Sequence, residues 1–86
     1  MSQPCRIQVL LFGPQSKLAG QDALTISFDH GEPTADEVLD SVALMYPELI
    51  PSKAGNRLAV NHQMAGPTQR VSPDDEVALI GMLGGG

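Results

Sequence analysis

The chain has 86 residues, 42% of them hydrophobic, which is enough for one small domain with a modest apolar core. Ten acidic and five basic residues give a net charge of −5, which disfavours binding to nucleic acid or to anionic membranes. The single Cys5 precludes an internal disulfide, and no targeting segment or membrane-spanning run is recognisable. The composition therefore predicts a reducing, cytoplasmic setting.

The sequence pattern over residues 6–28 predicts two strands that form a hairpin with a long loop. Residues 6–12 carry apolar side chains on both faces, which is typical of a strand in the centre of a sheet. Gly13 and Pro14 end this strand, and residues 15–22 show no regular period. Residues 24–28 alternate between apolar and small hydroxyl side chains, which predicts a half-buried strand.

One amphipathic helix is predicted after the second strand. Thr34 and Glu37 have the spacing of a capping box, in which Thr34 is the N-cap. Pro47 ends the helical run, because proline disfavours helical backbone at the residue before it. We expect the helix to pack on a sheet through one apolar stripe, formed by Val38, Leu39, Val42, Met45 and Tyr46.

The remainder of the chain predicts short strands separated by turns. Leu49 and Ile50 are expected to form an apolar plug under the helix. The other predicted elements are a strand over 57–61, a turn at 61–62, an edge strand over 63–65, a turn over 72–75 and a final strand over 76–80. The order predicts an α+β domain over residues 1–80, in which one main helix covers one face of a mixed sheet of four to five strands. Residues 81–86 are predicted to form a flexible tail.

Outside this tail, the sequence offers no catalytic or metal-binding pattern. His30 and His62 lie far apart and have no cysteine at ligand spacing, so we expect no metal site. Asp36 and Asp40 share a helix face, but the first-turn position of Asp36 is explained by its attraction to the helix N-terminus. Cys5 is interpreted as an ordinary small side chain. We therefore expect no catalysis by the chain alone and no bound cofactor.

The candidate reactive group is the α-carboxylate of Gly86, which follows Gly84 and Gly85 at the end of the sequence. Glycine has no Cβ, so this tail could pass through a channel that excludes side chains. Extended from Gly81, it would reach roughly 18–20 Å. The alternative is a frayed end without a function.

Apolar residues beside the tail are the predicted partner interface. Successive strand residues point to opposite faces, so one of Leu79 and Ile80 should belong to the core instead. The full predicted set is Phe12, Leu79, Ile80, Met82 and Leu83.

Five segments of the chain form a distinctive combination: Val9–Phe12, the T-A-D-E-V-L run over 34–39, L-A-V-N over 58–61, D-E-V-A-L-I over 75–80, and Gly85-Gly86. Together they resemble the MoaD family, the small subunits of molybdopterin synthase. Two features differ from the family pattern. Gly81-Met82 stands where the family commonly has two prolines, and Gly84 stands where a small non-glycine residue is more common.

These differences leave further classes of protein open. One is a ThiS-like carrier of thiazole synthesis, or a carrier that serves cysteine synthesis or tRNA thiolation. A ubiquitin-like modifier that is joined to lysines and a plain interaction module also fit the sequence.

The resemblance implies a ubiquitin-like β-grasp fold with parallel first and last strands. It further implies that a MoeB-like activating enzyme uses ATP to adenylate Gly86, which then becomes a thiocarboxylate. A MoaE-like large subunit would use this sulfur to thiolate cyclic pyranopterin monophosphate. The chemistry agrees, because a carboxylate with a pKa of about 3.5 is ionised at pH 7 and is a poor electrophile until it is activated. The chain would thus be the sulfur-donating subunit of a sulfurtransferase.

Overall fold

The structure, a computed structural model, describes residues 4–50 and 56–81. Within these ranges the chain forms a five-stranded sheet with a helix packed on one face. In chain order the elements are β1 (Cys5–Leu10), α1 (Gly13–Ala19), β2 (Ala23–Phe28), α2 (Ala35–Met45), a 3₁₀ turn (Pro47–Leu49), β3 (Asn56–Val60), β4 (Gln63–Met64) and β5 (Val77–Gly81).

Strand β1 lies inside the sheet, as the apolar character of both its faces predicted. The strand order is β2-β1-β5-β3-β4, so β1 lies between β2 and β5. β1 and β5 run parallel, with Val9 opposite Val77 and Leu10 opposite Ala78, while the other neighbouring pairs are antiparallel. The mixed sheet and the parallel pairing of the first and last strands are therefore confirmed, as is the β-grasp fold.

The capping box at the start of α2 is also confirmed. The backbone N–H of Glu37 donates to Thr34 Oγ1 at 3.2 Å, and the backbone N–H of Thr34 donates to Glu37 Oε1 at 2.9 Å. The bond from the Thr34 backbone lowers the pKa of the Glu37 carboxyl, with a smaller contribution from His30, whose Nε2 lies 3.2 Å from Glu37 Oε2. This local network fixes where the helix begins.

The core lies between the sheet and α2. Val38, Leu39 and Val42 of the predicted stripe are buried, but the prediction was wrong for Met45, whose side chain is 53% exposed. Met45 is the last residue of α2 and lies beside the sheet edge at β2. Tyr46 is partly buried just beyond the helix. The predicted plug is confirmed, because Leu49 and Ile50 are both buried.

The helix α1 was missed by the sequence analysis, which predicted an irregular loop there. A helix of seven residues is too short to show an apolar period. Its local signals are Pro14 in the first turn and Gly20 just after the end, where the backbone is left-handed at a φ of 71°. The Gly20 N–H donates to the Ser16 carbonyl at 2.9 Å and closes the last turn.

Replacing the helix cap should lower stability without changing the fold. We expect Thr34→Ala to reduce the free energy of unfolding by about 1 kcal/mol, because the Glu37 N–H loses its side-chain acceptor. Urea unfolding followed by circular dichroism measures the difference. Thr68→Ala, in an exposed turn, is the matched control and should change stability by less than about 0.5 kcal/mol. Equal losses in the two variants would contradict the capping role.

Candidate functional site

Strand β5 carries the chain from the middle of the sheet towards its tail. It lies between β1 and β3, and its last residue, Gly81, is paired with Asn56 of β3. The strand extends one residue beyond the predicted domain boundary at residue 80. The predicted tail residues Met82, Leu83, Gly84, Gly85 and Gly86 lie outside the described residues, so the reactive role of Gly86 stays a prediction.

The sheet face opposite α2, which we call the outer face, carries a continuous apolar row. The pairing register places one apolar residue of each strand side by side. Leu10 is opposite both Ala23 and Ala78, Ala78 is also opposite Ala59, and Ala59 is opposite Met64. This outer row therefore consists of Ala23, Leu10, Ala78, Ala59 and Met64. The first four are half-buried, and Met64 is 56% exposed.

Two predicted interface residues lie together beside this row. Phe12, 58% exposed, and Ile80, 41% exposed, line one shallow concavity of about 190 Å³. Ala59 and Ala78 of the outer row form part of its floor, and His62 and Glu76 form part of its rim. The concavity thus joins the outer row to the end of β5.

The structure answers which member of the Leu79 and Ile80 pair is core. Leu79 is 1% exposed and faces α2, together with Val77. Ile80 faces outward. Leu79 therefore cannot contact a partner from its place in the core, although it was included in the predicted interface.

The rim of the concavity is a tight turn between β3 and β4. The turn predicted at these residues is present, and its backbone has positive φ, 53° at Asn61 and 70° at His62. The Asn61 N–H donates to the Glu76 carbonyl at 2.7 Å, and the Glu76 N–H donates to Asn61 Oδ1 at 2.9 Å. Asn61 Nδ2 also donates to Asp75 Oδ1 at 3.1 Å, and His62 Nε2 lies 2.9 Å from Glu76 Oε2. These bonds fix the start of β5 against the turn.

Sequence analysis missed most of the outer row. Leu10, Ala59, Ala78 and Met64 lie on four different strands, and only the pairing register brings them together. The signal available in the sequence was that these strands carry apolar residues on their outward face as well as on their inward face.

The other side chains that were considered for chemistry are placed apart. Cys5 is buried and free, and His30 contacts Glu37 beside the start of α2. Within residues 4–50 and 56–81, no cluster of three potential metal ligands is present. Across the same ranges, no helix has the length and apolarity required to cross a bilayer.

Comparisons with known proteins agree with the fold. The profile described as the ThiS family matches residues 9–86. No curated protein sequence matches the chain significantly.

Several solved structures are similar to the chain over nearly its whole length. SAMP1 from Haloferax volcanii is 21% identical with a TM-score of 0.72, covering 94% of this chain and 99% of its own. A putative molybdopterin converting factor, subunit 1, from Pyrococcus furiosus is 16% identical with a TM-score of 0.75, covering 92% of this chain and 99% of its own. Small archaeal modifier protein 1 from Methanosarcina acetivorans is 20% identical with a TM-score of 0.69, covering 98% of this chain and 99% of its own.

Alanine substitutions at two adjacent residues of β5 should differ in their effect on stability, because one residue is in the core and the other is at the surface. Leu79→Ala should lower the free energy of unfolding by about 2–5 kcal/mol, because it leaves a cavity in a close-packed core. Ile80→Ala removes a half-exposed side chain and should cost about 1 kcal/mol or less. Urea unfolding of the two variants checks this order. A larger loss for Ile80→Ala would contradict the assignment of faces.

Proposed function

The chain belongs to the ThiS family, and we propose that it is a protein sulfur carrier whose reactive group is the C-terminal carboxylate of Gly86. The observation that carries this proposal is the extent of the family match, which runs over residues 9–86 and so includes the three final glycines. The position of β5 supports it. The end of β5 lies beside an exposed apolar concavity, where a partner could dock.

The proposed chemistry begins with activation of an unreactive group. An ionised carboxylate resists attack by nucleophiles, so a partner enzyme must first convert it to an acyl-adenylate. In that step a Gly86 carboxylate oxygen attacks the α-phosphate of ATP, and pyrophosphate leaves. A donor of sulfide-level sulfur then attacks the acyl carbon and displaces AMP, which leaves a thiocarboxylate on Gly86. ATP is the partner's substrate, and this chain supplies the acyl group.

The tail and the outer face have separate roles in this scheme. Gly84 and Gly85 carry no side chain, so they would let Gly86 enter a narrow channel in the partner. Met82 and Leu83 would contact the mouth of that channel. Phe12, Ile80 and the outer row would hold the folded body against the partner, since apolar side chains at the centre of an interface contribute much of the binding free energy.

We further propose that the sulfur acceptor is cyclic pyranopterin monophosphate, held by a MoaE-like large subunit of molybdopterin synthase. The partners of this carrier would then be that subunit and a MoeB-like activating enzyme in the cytoplasm. The resemblance of the D-E-V-A-L-I strand and of the glycine end to the MoaD family supports this acceptor. A ThiS-like role in thiazole synthesis is equally compatible with the family match. Sulfur-transfer assays with a molybdopterin synthase large subunit and with a thiazole synthase distinguish the two.

A second candidate function is protein modification. It is suggested by the similarity in fold to two archaeal small modifier proteins, with TM-scores of 0.72 and 0.69. The same adenylated Gly86 could form an amide with a lysine of a target protein. Conjugates that survive a denaturing gel would support this role.

Incubation with a cognate activating enzyme, ATP and a sulfur donor should convert the chain to a thiocarboxylate. Intact mass spectrometry should show one oxygen replaced by sulfur, and fragmentation should place it at Gly86. A variant without Gly86 should remain unmodified, with an unaltered thermal unfolding midpoint. No mass change in the complete chain, or the same change in the truncated one, would contradict the carrier role.

A charge placed beside the outer row should weaken docking. We expect Ile80→Asp to raise the Kd for the activating enzyme about tenfold or more, because a carboxylate would be buried in an apolar contact. Isothermal titration calorimetry measures the effect. Leu18→Asp is the control, because Leu18 is 51% exposed on α1 and lies outside the outer row. Equal Kd values for the two variants would contradict docking through the surface that contains Ile80.

A further inference from the structure

A second apolar surface lies at the edge of the sheet, away from the concavity that contains Phe12 and Ile80. Leu44 is 84% exposed and Met45 is 53% exposed at the end of α2. They line a groove of about 380 Å³ together with Ser41 of α2 and residues 25–27 of β2. We call this the β2–α2 groove. None of the outer-row residues lines it.

The strand side of the groove offers backbone hydrogen-bonding groups. Within the described residues, β2 pairs only with β1 and forms one edge of the sheet. The Leu11 N–H donates to the Asp22 carbonyl at 2.8 Å, next to the paired residues Leu10 and Ala23. In an antiparallel ladder, hydrogen-bonded and non-hydrogen-bonded residue pairs alternate. This bond therefore identifies the β2 residues whose backbone N–H and C=O groups point to β1. The backbone groups of Leu24, Ile26 and Phe28 point to β1, whereas those of Thr25 and Ser27 point to the free edge.

The stretch of chain that forms the groove is acidic, and the nearest described basic residue in the sheet register is Arg6 of β1, opposite Ser27. The run of residues 21–50, which contains β2 and α2, has seven acidic residues and no lysine or arginine. The acidic residues are Asp22, Asp29, Glu32, Asp36, Glu37, Asp40 and Glu48. A second copy of this chain would bring two such acidic surfaces together, which is unfavourable. A basic partner would complement them.

We propose that the β2–α2 groove binds an extended, basic segment of a partner protein, which adds to β2 as a further strand. Strand addition uses the free backbone groups of Thr25 and Ser27 for affinity. Because strand side chains alternate, every second residue of the segment would face α2 and cover Leu44 and Met45. Flanking lysine or arginine side chains would face the acidic residues. This binding is independent of the proposed chemistry at Gly86.

A synthetic peptide tests the proposal directly. The probe has eight residues, with valine and isoleucine alternating with threonine and with lysine at both ends. Titrated into ¹⁵N-labelled protein, it should cause saturable amide shifts in residues 23–28 and 41–45, and binding should weaken with added salt. The same peptide with glutamate ends, or with methyl groups on alternate backbone nitrogens, should not bind. A variant lacking Gly86 should bind like the complete chain.

Leu44→Ser should raise the Kd for the lysine peptide about tenfold or more, since an apolar contact of one leucine is lost. The substitution is at an exposed position, so the fold should persist. Leu18→Ser is the matched control on α1 and should leave the Kd unchanged. In the titration, the proposal is overturned if no amide shifts appear at millimolar peptide, if the shifts fall on the outer row, or if the glutamate peptide binds equally well. It is also overturned if the Leu44→Ser variant has an unchanged Kd. Self-association through β2, detected by sedimentation, would overturn it as well.

Discussion

The parallel pairing of β1 with β5 is the contact on which the rest of the structure depends. It joins the beginning and the end of the described chain in the centre of the sheet, with Val9 beside Val77 in the core. The same register places Leu10 beside Ala78 on the outer face. A change of one residue in this register would turn Leu79 outward and Ile80 inward. The pairing therefore sets both the core and the surface from which the tail departs.

The two faces of the sheet differ in what covers them. On one face, α2 buries the inward residues of the strands through Val38 and Val42. On the outer face, no described element covers the outer row, although its residues are apolar. Exposing such a row has a free-energy cost for the isolated chain that docking onto a partner would offset. The helix α2, which carries Asp36, Glu37 and Asp40, lies on the opposite face from this row, so the chain could engage two partners of different character.

Local signals explain which elements could be predicted from the sequence. The capping box at Thr34, the alternation over residues 24–28 and the turn at residues 61–62 depend only on neighbouring residues, and all three are confirmed. The helix α1 was too short to show a period. The outer row and the core position of Leu79 depend on strand pairing and on which face α2 covers, and neither is encoded locally.

The central claim is that the folded body docks by its outer face while Gly86 reacts inside the partner. The most direct measurement is the structure of this chain in complex with its activating enzyme and ATP. The account predicts that Phe12, Ile80 and Ala78 are covered by the enzyme and that the Gly86 carboxylate lies beside the α-phosphate. A complex in which the outer face remains exposed, or in which Gly86 lies far from the nucleotide, would contradict it.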